Sequence, residues 1–309
     1  MLIVHGYNDV PAQALGAVLA IGNFDGVHRG HQELLRIAAE TGRKLGAPSG
    51  AILFEPHPRE FFHPEEPHFH LTPLPQKLRL LETAGLDLAV VLDFDKELAG
   101  LSAVDFIDDV IVKGLGARHV VIGYDFFFGH QRSGTPETMR EVADRAGFGV
   151  TIIPPVAEGG EVFSSSAIRL RLAQGDVKGA AELLGRTWRI EGTVVGGAQR
   201  GTGLGFPTAN IPLPRGTALG HGIYAVRVIV DGARHDAAAY LGTRPTYDNG
   251  MPVLEVFLFD FDDNLYGKVI EVEFIDFIRA DRKFDSSEAL VEQMQKDVAQ
   301  ARDILAAGH

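Results

Sequence analysis

The sequence predicts an α/β plus all-β protein, two domains divided by a change of hydrophobic periodicity near residue 185. Up to about residue 155, short continuous apolar runs alternate with helical patterns, which is how a parallel sheet covered on both faces reads. From Trp188 onward apolar and polar residues alternate and glycine, proline and Asp-Gly turns recur, which is how antiparallel strands read. The first domain is placed at 1–185 and the second at 186–309.

The expected strands of the first domain are AVLAI at 17–21, GAILF at 50–54, LAVVLDF at 88–94, HVVIG at 119–123 and VTIIP at 150–154. Between them, Ser102 to Gly116 reads as a helix. Phe106, Val110 and Ile111 share a face, Ser102 and Asp105 can satisfy the first amides, and Gly114 and Gly116 close the end. Ser164 to Gly185 reads as two short helices, with Ala167, Ile168 and Leu172 in one and Ala180, Leu183 and Leu184 in the other. In the second domain RIEGTVVGG, GIYAVRVIV, RHDAAAYLG, PVLEVFLFDF and VIEVEFIDFI supply five or six strands of a barrel or sandwich. Leu290, Met294, Val298, Ala301 and Leu305 then form a stripe on a terminal helix, expected to pack on the barrel because such a stripe is far more often core than a cofactor site.

Composition narrows the function. The 309 residues are 45% hydrophobic and carry a net charge of −12, with 16 basic against 24 acidic residues in 1–185 and 13 against 17 after it. Neither half is a basic footprint, which argues against nucleic acid as a partner. No cysteine occurs, so disulfides, thiolate nucleophiles and Cys-based metal sites are excluded. MLIVHGYNDVPAQ lacks a basic stretch followed by an apolar one, and no apolar run approaches the roughly 18 residues that span a bilayer. The expectation is a soluble cytoplasmic protein with no membrane partner; composition leaves its oligomeric state open.

The densest chemistry lies in GNFDGVHRGH at 22–31, between the first strand and a helical segment. In an open parallel sheet ligands bind beyond the carboxyl ends of the strands, where this loop falls. Its glycines permit close approach of the backbone, and the helix start offers unpaired amides to an anion. His28 and His31, three apart, face the same side. A catalytic zinc needs about three protein ligands and no HExxH-like partner accompanies the pair. Simple capping would suit a lone histidine better than the whole ten-residue pattern. A phosphate site is the remaining candidate.

GNFDGVHRGH resembles the HxGH signature of the nucleotidyltransferase superfamily, and SSSAIR at 164–169 resembles its Ser/Thr-rich turn followed by Ile-Arg. The resemblance implies a Rossmann-like domain in which His28 and His31 are catalytic, stabilising charge on the transferring phosphate. It makes Gly22, Asn23, Phe24, Asp25, Gly26, Ser164, Ser165, Ser166 and Arg169 nucleotide-binding, the last as a phosphate fork. No KMSKS-like segment links the chain to the aminoacyl-tRNA synthetases that share an HxGH-like motif. FEPHPREFF at 54–62 and GYDFFFGHQRSG at 123–134 both follow apolar strands and look like the flavin-contacting loops of bacterial FAD synthetases. On that likeness Pro56, His57, Pro58, Asp125 and Phe126 are flavin-binding candidates; for Phe126 and Phe128 core packing is the competing reading.

In the second domain GTVVGGAQRGTGLGFPTAN at 192–210 is glycine-rich but opens no helix, so it is neither a dinucleotide fingerprint nor a P-loop. Its ending, GFPTAN, resembles the signature of riboflavin kinase, and HGIYAVRV, GTRPTYDNG, LEVFLFDFDDNLYG and RADRKF continue the likeness. This implies a small antiparallel barrel of the Greek-key type with a terminal helix. Gly197, Arg200, Gly201, Gly205, Phe206, Pro207 and Arg279 would bind ATP, and Thr208 and Asn210 would hold Mg2+, which prefers hard oxygen ligands. Glu255 sits in the apolar run VLEVFLF, where an unpaired carboxylate is costly; a salt bridge at a barrel edge is the bland reading. The resemblance assigns it as catalytic base, and desolvation would shift a carboxyl the way a base requires. Thr202 stands where the family usually has arginine, and Asp281 where it has glutamate.

Together the likenesses match the bacterial bifunctional riboflavin kinase/FAD synthetases, transferases that make FMN from riboflavin and ATP and then FAD from FMN and ATP. Riboflavin, FMN, FAD and ATP are therefore the expected partners. A flavin carrier or regulator with one inactive site, and a nucleotidyltransferase with another phosphorylated acceptor, remain the alternatives.

Overall fold

The computed structural model describes residues 1–196, 206–214, 216–243 and 252–307. It forms two compact units, Met1–Glu66 with His70–Ser165, and Pro67–Phe69 with Ser166–His309.

In the first unit β1 (Leu2–His5), β2 (Val18–Ile21), β3 (Ser49–Glu55), β4 (Leu88–Asp93), β5 (His119–Gly123) and β6 (Gly149–Ile153) form an all-parallel sheet ordered β1-β4-β3-β2-β5-β6. The five expected runs are β2 to β6. β1 escaped the sequence reading because four residues at a sheet edge are too few to show a period. β2 is buried throughout because helices cover both faces. Val18 and Ala20 meet Leu34, Leu35 and Ala38 of α1 (Arg29–Leu45), while Leu19 and Ile21 belong to the core of Ile107, Val110 and Ile111. Each such valine, leucine or isoleucine contributes roughly 1.5–3 kcal/mol, so the central strand is a firm base for the loop that follows. Chain order reverses at β2, whose neighbours are β3 and β5, so the loop after it stands at the topological switch point.

Around the sheet lie α2 (Pro58–Phe62), α3 (Leu74–Thr83), α4 (Lys96–Gly100), α5 (Ala103–Asp105) and α6 (Pro136–Ala146). The predicted helix at 102–116 is α5 continued by π-helical turns over Phe106–Gly114, and Ser102 Oγ accepts from Asp105 N at 3.1 Å. A two-strand hairpin, β7 (Ala157–Glu158) and β8 (Glu161–Val162), ends this unit.

The second unit contains β9 (Arg189–Thr193), β10 (Ala209–Pro212), β11 (Gly222–Val230), β12 (Ala233–Thr243), β13 (Pro252–Leu258) and β14 (Val269–Ala280), ordered β10-β13-β12-β11-β14-β9. β11, β12 and β13 form a meander and β14 returns beside β11, which is the Greek-key arrangement. Val195 N donates to Asn210 O at 2.9 Å and brings the two edges together as a nearly closed barrel. β10, whose first two residues end GFPTAN, is the strand missed by the sequence reading, four residues being too few to show a period.

α7 (Ser165–Ala173) and α8 (Val177–Leu184) are the two short helices expected at the end of the first domain, yet all but Ser165 cluster with the barrel. α8 packs on β14 and Lys178 pairs with Asp276 at 2.5 Å. Helical periodicity shows that α8 has an apolar face and is silent on which neighbour takes it. In the terminal helix, α9 (Ser287–Ala307), Ala301 and Leu305 join the core of Ala225, Ala238 and Phe259. Leu290, Met294 and Val298 line a cavity, Val298 also packing against that core, so Leu290 and Met294 are the two residues of the predicted stripe outside it.

Candidate functional site

The loop leaving β2 is strained and tied down. Phe24 (φ 47°) and Val27 (φ 40°) adopt left-handed backbone, as does Gly26 (φ 87°). For non-glycine residues this costs roughly 1–3 kcal/mol each, and the surroundings must hold it. Phe24 is 0% and Val27 3% exposed. Thr72 N donates to Asp25 Oδ1 at 3.1 Å, Gly26 N to Thr72 Oγ1 at 2.8 Å, and Ser165 Oγ to Asp25 O at 2.7 Å. Asp25, expected at the nucleotide, thus has a buried carboxylate engaged with the protein's own backbone.

His28 is the N-cap of α1, its Nδ1 accepting from His31 N at 3.3 Å. The two rings stack with centroids 3.6 Å apart, and Phe24 meets His31 edge-on at 5.2 Å. A Cβ on Gly30 would lie 3.1 Å from the His28 ring and 3.4 Å from Phe163 O, which explains the glycine between the histidines. Gly22 and Asn23 are half-buried beside this pair's loop. Of the serine turn, Ser164 is half-buried and Ser165 holds the loop as described. Ser166 and Arg169 belong to the second compact unit, where Arg169 Nε and Nη2 donate to Phe69 O at 3.1 and 3.0 Å. Among the described residues no group of three or more His, Cys, Asp or Glu could hold a metal ion.

Two further loops leave carboxyl ends of the same sheet. His57 caps α2, its Nδ1 accepting from Arg59 N at 3.1 Å while its own N donates to Glu60 Oε2 at 3.1 Å; Pro56 is exposed and Pro58 opens the helix. Asp125 is exposed, and Phe126 is half-buried and stacked on Phe128 at 5.2 Å, with Phe128 in the core. Sequence reasoning named the FEPHPREFF segment but missed its aromatic wall. Phe61 and Phe62 both meet Phe94 edge-on, at 5.4 and 5.8 Å, and Phe62 is 59% exposed. Two adjacent phenylalanines just after a strand end were the available signal. Also missed was Lys77 on α3, 1% exposed. Burial pushes its ammonium below the ordinary lysine value, while Asp25, Glu55 and Glu60 push it back up.

In the second unit a cavity of about 320 Å³ lies between the outer face of the barrel and α9. Asn210 pairs with Glu255 across β10 and β13, and Glu255 with Tyr240 across β13 and β12. Residues directly opposite on neighbouring strands share a face, so the three form a row, with Thr208, Glu255 and Tyr240 on the cavity wall. Glu255 is therefore half-buried on the outer face, and only Leu254, Val256 and Leu258 fill the interior. Alternation, unreadable in a run as apolar as VLEVFLF, turns it to the outer face.

Asn210 Nδ2 donates to Thr208 O at 3.2 Å, and Phe206 packs on Phe257 at 5.2 Å, with Pro207 exposed beside it. Tyr240 Oη donates to Asp281 Oδ2 at 3.0 Å. Arg279, expected at the nucleotide, lines the same cavity and also holds α9: its Nε and Nη2 donate to Asp297 at 2.6 to 3.2 Å. Gly197, Arg200, Gly201 and Gly205, together with Thr202, lie outside the described residues.

A histidine pair at the switch point of a parallel sheet, and a row of amide, carboxylate and phenol beside a cavity on a Greek-key barrel, define a chain with two transferase domains. Family models match both parts: FAD synthetase over residues 10–167 and riboflavin kinase over 184–305. A bifunctional riboflavin kinase/FMN adenylyltransferase of Escherichia coli K12 is 40% identical over 301 residues, 97% of this chain and 96% of that one. One of Bacillus subtilis is 36% identical over 304 residues, with the same two shares. A crystal structure of a Streptococcus pneumoniae chain described as a macrolide-efflux protein superposes with a TM-score of 0.86 at 32% identity, over 98% of this chain and 99% of that one. The chain belongs to the bifunctional riboflavin kinase/FMN adenylyltransferase family. Among its described residues no helix is long and apolar enough to cross a membrane.

Proposed function

We propose that the barrel phosphorylates riboflavin to FMN and the parallel-sheet unit adenylylates FMN to FAD, with the chemistry divided between residues 186–309 and 1–185. In the kinase step Glu255 takes the proton of the ribityl hydroxyl as its oxygen bonds to the γ-phosphorus of ATP and ADP departs. A hydroxyl is a poor nucleophile and needs that base. Thr208 and Asn210 form a neutral, oxygen-bearing pair beside Glu255, suited to Mg2+ carried in with a nucleotide. When bound, the ion supplies positive charge to the phosphates. ATP is held by Phe206, Pro207 and the glycine loop before them.

In the second step an FMN phosphate oxygen bonds to the α-phosphorus of ATP and the bond to the bridging oxygen breaks, releasing pyrophosphate. The nucleophile is already ionised, so positioning and charge stabilisation suffice. His28, His31 and the head of α1 supply these, and the rim carrying Pro56, His57, Pro58, Asp125 and Phe126 receives the flavin. The observation that carries this division is the row Asn210, Glu255, Tyr240, a base beside a cavity in the one domain whose acceptor is an alcohol. A cytoplasmic setting, where ATP is abundant, fits both steps.

The test is to incubate the purified protein with riboflavin and MgATP and separate the flavins. Wild type yields FMN and FAD. Glu255→Gln makes no FMN yet converts supplied FMN to FAD, and His28→Ala combined with His31→Ala stops at FMN. Wild type that makes no FAD from supplied FMN refutes the first-unit assignment.

A further inference from the structure

Register carries the row of Asn210, Glu255 and Tyr240 on across the barrel. Tyr240 of β12 lies opposite Ile223 of β11, and Ile223 opposite Arg279 of β14, so five strands each place one residue on a line over the outer face. Glu255, Tyr240, Ile223 and Arg279 all line the cavity. Neighbouring strands lie about 4.8 Å apart, which sets Tyr240 one step from Glu255 and Arg279 three steps, roughly 14 Å, from it. The Arg279 end is apolar beyond its charge: Phe284 lies 5.8 Å from the guanidinium, and Met294 stands one turn of α9 before the Asp297 that Arg279 binds.

The ring of Tyr240 is laid down along its own strand. Gly242 is two residues on and shares that face, and a Cβ there would collide with the Tyr240 hydroxyl and Cζ and come within 2.9 Å of Cε1. Gly242 is not among the left-handed glycines, so what its missing side chain supplies is room for the ring. The tip is fixed as well. Tyr240 Oη donates to Asp281 Oδ2 at 3.0 Å, and Asp281 Oδ1 in turn accepts from Arg282 N at 2.8 Å. Rooted on β12 and tied to the residue that follows β14, the half-buried ring is a fixed wall of the cavity beside Glu255.

We infer that Tyr240 is a specificity-determining residue of the kinase step: its ring, seated over Gly242 and held by Asp281, is the wall along which the polyol side chain of the flavin lies, and it sets the chain length that brings a terminal hydroxyl to Glu255. The inference rests on the assignment of that step to Glu255. A flat ring system takes the apolar Arg279 end, and its side chain then passes Tyr240 to reach the base.

The experiment measures kcat/KM of the full chain for riboflavin and for an analogue whose side chain is longer by one methylene. It compares wild type with Tyr240→Phe, Tyr240→Ala, Gly242→Ala and the Gly242→Ala/Tyr240→Ala double variant, and Trp188 emission in urea checks that each barrel is folded. One extra methylene in a fitted pocket is discriminated by about 10- to 200-fold, the preference for riboflavin expected of wild type. Tyr240→Ala should take the longer chain and bring that preference below about threefold, whereas Tyr240→Phe, which keeps the ring, should retain it within that range. Gly242→Ala pushes the ring from its seat and should lower kcat/KM for riboflavin by about tenfold or more. In the double variant the alanine at 242 meets no ring, so it should add nothing to the effect of Tyr240→Ala. A wild-type preference in Tyr240→Ala overturns the inference, and so does a Tyr240→Phe variant as unselective as the alanine one, or a Gly242→Ala effect that persists without the tyrosine. If Tyr240→Ala fails to fold, Gly242→Ala decides, and unchanged kinetics there refute the role of the ring. Wild type that makes no FMN from riboflavin would overturn the kinase assignment instead, an outcome separable from any at Tyr240.

Discussion

Replacing Asp297 by alanine should loosen the terminal helix from the barrel and disable the kinase cavity while sparing adenylylation. Asp297 accepts Arg279 Nε at 2.9 Å and Nη2 at 2.6 Å, and Gln293 Nε2 at 2.7 Å, with the two charged side chains 19% and 6% exposed. Removing one partner of a buried pair costs about 3–5 kcal/mol, because the other charge remains buried and unbalanced. Water reaches part of the Arg279 guanidinium, so the lower end, about 3 kcal/mol, is expected, roughly a hundredfold in the folding equilibrium of this unit. The chain's single tryptophan, Trp188, is 2% exposed between Phe69 and Phe274, so its emission in a urea titration reports on the barrel unit. Arg279→Met with Asp297→Leu removes both charges and should regain most of the loss, as apolar replacements of buried pairs commonly do. An Asp297→Ala variant destabilised by less than about 1 kcal/mol, or a double variant as unstable as the sum of the singles, refutes the claim that a desolvated charge pair docks α9.

Gly30→Ala should slow FAD formation by about tenfold or more, since a methyl 3.1 Å from the His28 ring must displace the imidazole, while FMN formation is unchanged; kinetics of the two steps compare them. Tyr224→Phe removes the hydroxyl that donates to Gly220 O from a fully buried ring, and should cost about 1–2 kcal/mol by urea midpoint. Burial holds the His119 imidazole below its ordinary value of 6.5. The unfolded chain therefore takes up that proton first as the pH falls, so stability should decline below about pH 6.5, by no more than about 1.4 kcal/mol per pH unit from this group, and His119→Gln should flatten that part of the profile.

Much of this molecule is local information. The continuous apolar runs at 18–21, 50–54 and 88–93 announced a sheet buried on both faces, and GNFDGVHRGH announced its site, because a glycine turn, a helix start and two histidines one turn apart lie within ten residues. GFPTAN and VLEVFLF likewise carried Thr208, Asn210 and Glu255 in consecutive stretches. What the chain alone could not express is pairing. The register that lines up Asn210, Glu255 and Tyr240 joins residues 15 to 45 positions apart, and it places Glu255 on a cavity wall. Likewise nothing in the chain alone pairs Arg279 with Asp297 or buries Lys77. Periodicity records which residues are apolar along one element; the partner of a charge depends on which distant elements fold against it, and only the tertiary structure decides that.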